Sequence, residues 1–259
     1  MKVSVVIGAL LLLGGVAYYF WNRPSMPEEA RISPAMSQRV ELKTQDNVSI
    51  VGDYYSPEGA PARGLLLLHM MPADRTSWRA FAEKMENANW HVLAIDLRGH
   101  GESQGGPNGH KSFSDVEHQA SRLDVEAGVE FLKSTLRQSS GQEGTIVLGG
   151  ASIGANLALQ HLAGHPEAKA AFLLSPGLDY RGVATEPAAR NLKPGQFVFY
   201  VASHDDAYSA DTIQTLFDAT PAGVKKGIKF FETAGHGTTI FEREPEFMEE
   251  VLAWLQSLQ

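Results

Sequence analysis

The chain has 259 residues, 20% charged and 43% hydrophobic, an ordinary balance for one α/β domain with a substantial core. The net charge is −8; the first 23 residues hold Lys2 and Arg23 and no acid, so the rest carries 20 basic against 30 acidic side chains and makes a poor partner for nucleic acid or for an anionic lipid surface. There is no cysteine, which excludes disulfides, thiolate chemistry, cysteine-based metal sites and a lipid anchor on cysteine.

Lys2 is followed by Val3 to Trp21, 19 residues without a charge, and Arg23-Pro24 ends the run. That length just spans a bilayer. Tyr18-Tyr19-Phe20-Trp21 at its end suits a membrane–water interface. The expectation is an uncleaved single-pass helix over residues 1–23, N-terminus inside and the domain on the outer, periplasmic or extracellular, side. The alternative is a cleaved signal peptide with Gly15-Val16-Ala17 as its cleavage site, giving a secreted or periplasmic protein. Residues 24–38 are polar, contain Pro24, Pro27 and Pro34, and read as a linker.

The folded domain is expected over 39–259. Val40-Glu41-Leu42-Lys43 and the run Val48 to Tyr55 alternate, with Gln45-Asp46-Asn47 between them, which predicts a hairpin at a sheet edge. Strand-like and helix-like runs then alternate. Uniformly apolar strands such as Leu65–Leu68 require a sheet covered on both faces, so the expected class is α/β with a mostly parallel sheet. Val116, Ala120, Leu123, Ala127 and Phe131 predict one amphipathic helix over 112–136, and Phe247, Val251, Trp254 and Leu258 predict another over 244–258.

Gly150-Ala151-Ser152-Ile153-Gly154 lies between the strand-like run Thr145–Leu148 and the helix-like run Ala155–Leu159. G-x-S-x-G in that setting is a nucleophile elbow: the turn is so tight that residues two before and two after the serine must be small. Serine needs a base, and the base needs a carboxylate to orient it. Downstream, the run Phe197–Val201 leads to His204-Asp205-Asp206, and Ile228–Phe231 leads to Ala234-Gly235-His236-Gly237.

This order of serine, acid and histidine resembles the α/β-hydrolase superfamily. Two further stretches carry the likeness: Leu65–Leu68 with His69-Met70-Met71-Pro72, similar to the strand and His-Gly-x-Pro loop, and Asp96-Leu97-Arg98-Gly99-His100-Gly101-Glu102-Ser103, similar to D-x-R-G-x-G-x-S. The likeness runs from about residue 39 to 259. It implies Ser152 as nucleophile, His236 as base, and the Met71 and Ile153 N–H groups as oxyanion donors, with Met70 where the family usually has glycine. It places the acid three residues after a small residue, Ala202, hence at Asp205 with Asp206 as the alternative. Asp96 and His100 are expected to be structural, and His204 a loop residue. No metal-ligand spacing is present and no cofactor is implied.

Only 22 residues separate the runs near Leu174 and Phe197, too few for a large helical lid. The expected activity is hydrolysis of a carboxylic ester or related acyl bond of a small-molecule substrate, as in lysophospholipase-like or dienelactone-hydrolase-like members. The alternatives are an aminopeptidase or amidase of the same fold and a non-catalytic, membrane-tethered binding module. No feature indicates an oligomeric state.

Overall fold

The computed structural model describes residues 37–258. Ten strands occur there: β1 (Gln38–Lys43), β2 (Ser49–Tyr55), β3 (Arg63–Leu68), β4 (His91–Ile95), β5 (Thr145–Ala151), β6 (Ala170–Leu174), β7 (Asp179–Tyr180), β8 (Val183–Ala184), β9 (Phe197–Ser203) and β10 (Lys225–Phe231). Eight of them form one sheet in the order β1-β2-β4-β3-β5-β6-β9-β10. β1 pairs antiparallel with β2 in the register Lys43↔Ser49, so the edge hairpin forms as the alternation predicts, and Asn47 takes a left-handed φ of 66° in its turn. From β4 to β10 every pairing is parallel.

The uniformly apolar strands are buried on both faces. Leu65, Leu66, Leu67 and Leu68 are all fully buried, and they alternate between two cores. Leu66 and Leu68 join Val125, Val129, Leu132 and Leu159 on one side; Leu65 and Leu67 join Trp78, Phe81, Phe172 and Phe247 on the other. Each such leucine contributes about 1.5–3 kcal/mol. The helices Arg122–Ser140 and Ile153–Gly164 cover the first face, while Arg79–Asn87 and Phe247–Gln256 cover the second.

Two helical expectations need correction. The segment 112–136 is not one helix: a short helix, Asp115–Gln119, precedes the long one, Arg122–Ser140. Ser114 and Glu117 form a reciprocal capping box that starts the first, and Ala120-Ser121 separates the two. Val116 therefore escapes the core and is 75% exposed. The buried face of the long helix is Val125, Gly128, Val129, Leu132 and Leu136 instead. In the C-terminal helix, Phe247 and Val251 are buried as expected, but Leu255 rather than Trp254 completes the buried face.

Among the described residues no helix is long and apolar enough to cross a membrane. The predicted span Val3–Trp21 and nearly all of the predicted linker lie outside the described residues.

Candidate active site

β5 ends in Ala151, and the helix Ile153–Gly164 starts one residue later, so Ser152 is the whole connection. Its backbone takes φ 54° and ψ −121°, a region that a non-glycine residue occupies only at a cost of about 1–3 kcal/mol. The flanking glycines explain why the turn closes. A Cβ on Gly154 would lie 2.3 Å from the Leu68 carbonyl oxygen, and one on Gly150 2.3 Å from the Gly154 carbonyl oxygen. Both obstacles are backbone, so neither can yield. The Ser152 N–H donates to Leu174 O (2.9 Å), which ties the elbow to β6.

His236 stands on the loop after β10, and acceptors from the ends of β6 and β9 hold that loop. Ala234 N–H donates to Ser203 Oγ (2.7 Å), Gly235 N–H to Asp205 Oδ1 (3.0 Å) and Gly237 N–H to Ser175 Oγ (2.9 Å). Gly237 also approaches Ala151, the residue before Ser152. Met70 fills the space beside this loop: a Cβ on Gly237 would meet its sulfur at 2.5 Å, and Thr238 Oγ1 lies 3.9 Å from it.

The acid is where the structure departs from expectation. His236 Nδ1–H donates to Asp206 Oδ2 at 2.6 Å, whereas Asp205 faces away. Asp205 accepts from Gly235 N–H and pairs with Arg243 at 3.1 Å. The reason lies in where β9 stops. The strand runs on through Ser203, and the Asp206 N–H closes a turn on Ser203 O (2.9 Å), so the residue three beyond Ser203, not Ala202, is directed inward. Asp206 is the N-cap residue of the helix Ala207–Ala219. Burial raises its pKa, but the His236 hydrogen bond and the Ser209 side chain outweigh that and hold it below the ordinary carboxylate value. Asp206 is thus ionised at neutral pH and fixes the imidazole with its proton on Nδ1 and a free lone pair on Nε2.

The Met71 and Ile153 N–H groups have no backbone acceptor among the described residues. Ile153 is the first residue of the helix that follows Ser152, where N–H groups lack intrahelical partners and the dipole favours negative charge. Ser152 itself is 7% exposed. The His236 side chain bonds to Asp206, and no hydrogen bond joins it to Ser152. Catalytic contacts of this type are often long until substrate is bound. Tyr180 comes from the small hairpin β7–β8, and its ring stands edge-on to His236 with centroids 6.3 Å apart. Tyr180, Ser175, Ser203 and Ser209 were not singled out by the sequence. The one available signal was Asp179-Tyr180-Arg181-Gly182, a turn tetrapeptide inside the short interval where a lid would stand.

The other histidines and acids have structural partners. Asp96 is fully buried and accepts from Arg75 N–H (2.8 Å), Arg75 Nη1 (2.5 Å) and Glu102 N–H (2.8 Å). His69 accepts the Leu97 N–H at Nε2 (3.0 Å) and uses Nδ1 on Met70 O (2.9 Å). His204 stacks on Phe230, away from the elbow. A cavity of about 220 Å³ between Val129, Ile146, His161 and Ala168 does not include Ser152. Among the described residues no group of three or more histidines and acids is placed to hold a metal.

A strained serine between a parallel strand and a helix, with histidine and acid following on later strand ends, defines a class. The chain belongs to the α/β-hydrolase fold family, whose sequence profile matches residues 65–225. No curated protein matches the sequence. Among solved structures it is similar to the Pyrococcus furiosus esterase Pf2001 (18% identity, TM-score 0.70, 85% of this chain and 90% of that one). It is also similar to the esterase RhEst1 from Rhodococcus sp. ECU1013 (17% identity, TM-score 0.65, 85% and 99%). A bacterial membrane phospholipase A, described as a virulence factor, aligns at 16% identity and TM-score 0.65 over 98% of both chains.

Proposed function

We propose that the protein is a serine hydrolase that cleaves a carboxylic ester through an acyl-enzyme. The observation that carries the reading is Ser152 held at φ 54° on the elbow, a strain that packing alone gives no reason to keep. Ser152 Oγ attacks the ester carbonyl while His236 Nε2 takes its proton, and Asp206 stabilises the imidazolium through Nδ1. The carbonyl oxygen becomes negative and is met by the Met71 and Ile153 N–H groups. The imidazolium returns the proton to the leaving alcohol; water then attacks the acyl carbon by the same route and frees Ser152.

The N-terminal apolar run supports placing this activity at a membrane, with residues 1–23 as anchor and the domain on the outer side. One similar structure is described as a membrane phospholipase A, which supports an ester of a membrane lipid as substrate. A fluorophosphonate probe tests the chemistry. It should label the wild type on Ser152 and leave Ser152→Ala unlabelled; equal labelling of both removes Ser152 from the reaction.

A further inference from the structure

Three side-chain oxygens accept from N–H groups of the loop that bears His236: Ser203 Oγ from Ala234, Asp205 Oδ1 from Gly235 and Ser175 Oγ from Gly237. They are not equivalent. Ser203 and Asp205 belong to β9 and its turn, the same segment that supplies Asp206, so they fix the loop relative to the acid. Ser175 follows β6, which pairs with the strand of Ser152 in the register Ala151↔Leu174. Ser152 and Ser175 are therefore the residues immediately after one register pair, and the Ser152 N–H donates to the Leu174 carbonyl at that step (2.9 Å). Of the three, Ser175 alone ties the histidine loop to the strands that carry Ser152. It also repeats the backbone of the elbow, with φ 51° beside 54° for Ser152. It is fully buried, and its N–H donates to Val201 O (2.8 Å). Glycine adopts such a φ without steric cost and makes the same backbone bond. What serine adds at this position is the hydroxyl.

We propose that Ser175 is a positioning residue, whose hydroxyl sets the approach of His236 Nε2 to Ser152 while Asp206 sets the tautomer and charge of the ring. The proposal rests on the reading of Ser152 as nucleophile and His236 as base. Ser175 Oγ holds the N–H of the peptide that joins His236 to Gly237 (2.9 Å), so it fixes one side of the histidine's own backbone. Asp206 holds the ring at Nδ1 (2.6 Å). Two points, one on the backbone and one on the ring, define where the far nitrogen lies. Without the hydroxyl, the Gly237 N–H loses its acceptor, and the peptide turns to find another. The ring then pivots about its bond to Asp206, and the end that moves is Nε2. Proton transfer from Ser152 is steeply sensitive to such a shift: a misplacement of about 1 Å costs up to about 10²-fold. Ester binding does not use this hydrogen bond, and the imidazolium keeps its carboxylate. The loss therefore falls on the chemical steps that pass a proton between Ser152 and His236.

Ser175→Ala removes the hydroxyl and keeps the positive φ; Ser175→Gly removes the hydroxyl and relieves the φ. In the full-length protein, kcat and KM for p-nitrophenyl butyrate, the pH dependence of kcat/KM and the rate of fluorophosphonate labelling of Ser152 are measured, with urea unfolding alongside. Both variants should lose about tenfold in kcat and in labelling rate, with KM within about twofold of wild type and the acid limb of the pH profile unmoved. Ser175→Gly should be no faster than Ser175→Ala, even where its urea midpoint is higher; if the alanine variant does not fold, the glycine variant carries the test with the same tenfold loss. Labelling at the wild-type rate, activity that recovers with stability in Ser175→Gly, or a shifted acid limb overturns the role of Ser175. A wild type that hydrolyses the ester without being labelled at Ser152 overturns the serine-hydrolase reading itself, and the proposal with it.

Discussion

Asp205 and Asp206 are adjacent carboxylates with different partners, and substituting each by asparagine separates what the partners do. Asp206→Asn replaces a charged acceptor 2.6 Å from His236 Nδ1 with an amide. The imidazole loses the stabilisation of its charged form, and the amide also favours the tautomer protonated on Nε2, which cannot accept the Ser152 proton. Where such an acid orients the base, the loss in kcat is about 10³–10⁴-fold. Asp205→Asn keeps a side-chain oxygen for Gly235 N–H and loses only the charge opposite Arg243, whose side chain is 52% exposed. Exposed pairs of this kind are worth about 0–1 kcal/mol, so the expected fall is at most about fivefold. Matched kcat and KM measurements on a p-nitrophenyl ester, with thermal unfolding to establish that both variants fold, decide between the two residues. A larger loss in Asp205→Asn, or equal losses, refutes the assignment of the acid to Asp206.

Three further outcomes are expected. Ser152→Ala abolishes turnover with the fold intact, while Ser152→Gly also raises the unfolding free energy by about 1 kcal/mol, because glycine relieves the positive φ at a smaller entropic cost; a destabilised Ser152→Gly in a urea titration would contradict the strain. Burial lowers the pKa of His69 to about 4 and of His100 and His161 to about 3, so the unfolded chain, with histidine near 6.5, binds more protons between those values; stability is lost as pH falls below about 6.5, by about 1.4 kcal/mol per pH unit for each, and equal urea midpoints at pH 7 and pH 5 would exclude this. The full-length protein stays with membranes through a carbonate wash and retains its N-terminal residues, since an apolar run of this length greatly exceeds any surface charge contact; a mature N-terminus near Tyr18, with activity in the soluble fraction, would identify a cleaved signal instead.

The fold class was legible because its signals are local. A strand covered on both faces must be apolar at every position, as Leu65–Leu68 is, and so tight a strand–helix turn must have small residues two places either side of its central residue, as Gly150 and Gly154 are around Ser152. Local patterns do not carry the exact end of an element. One more residue in β9 exchanged the directions of Asp205 and Asp206, and a capping box at Ser114 divided one periodic segment into two helices and exposed Val116. The sequence by itself determined the tight strand–helix turn at Ser152 and the order of the strands that bear serine, acid and histidine. Tertiary structure alone decided which acid meets His236, which serines hold its loop, and that the Tyr180 ring stands beside His236. Those contacts join strand ends far apart in the chain, where a rotation of one residue reverses a side chain and leaves no trace in composition or period.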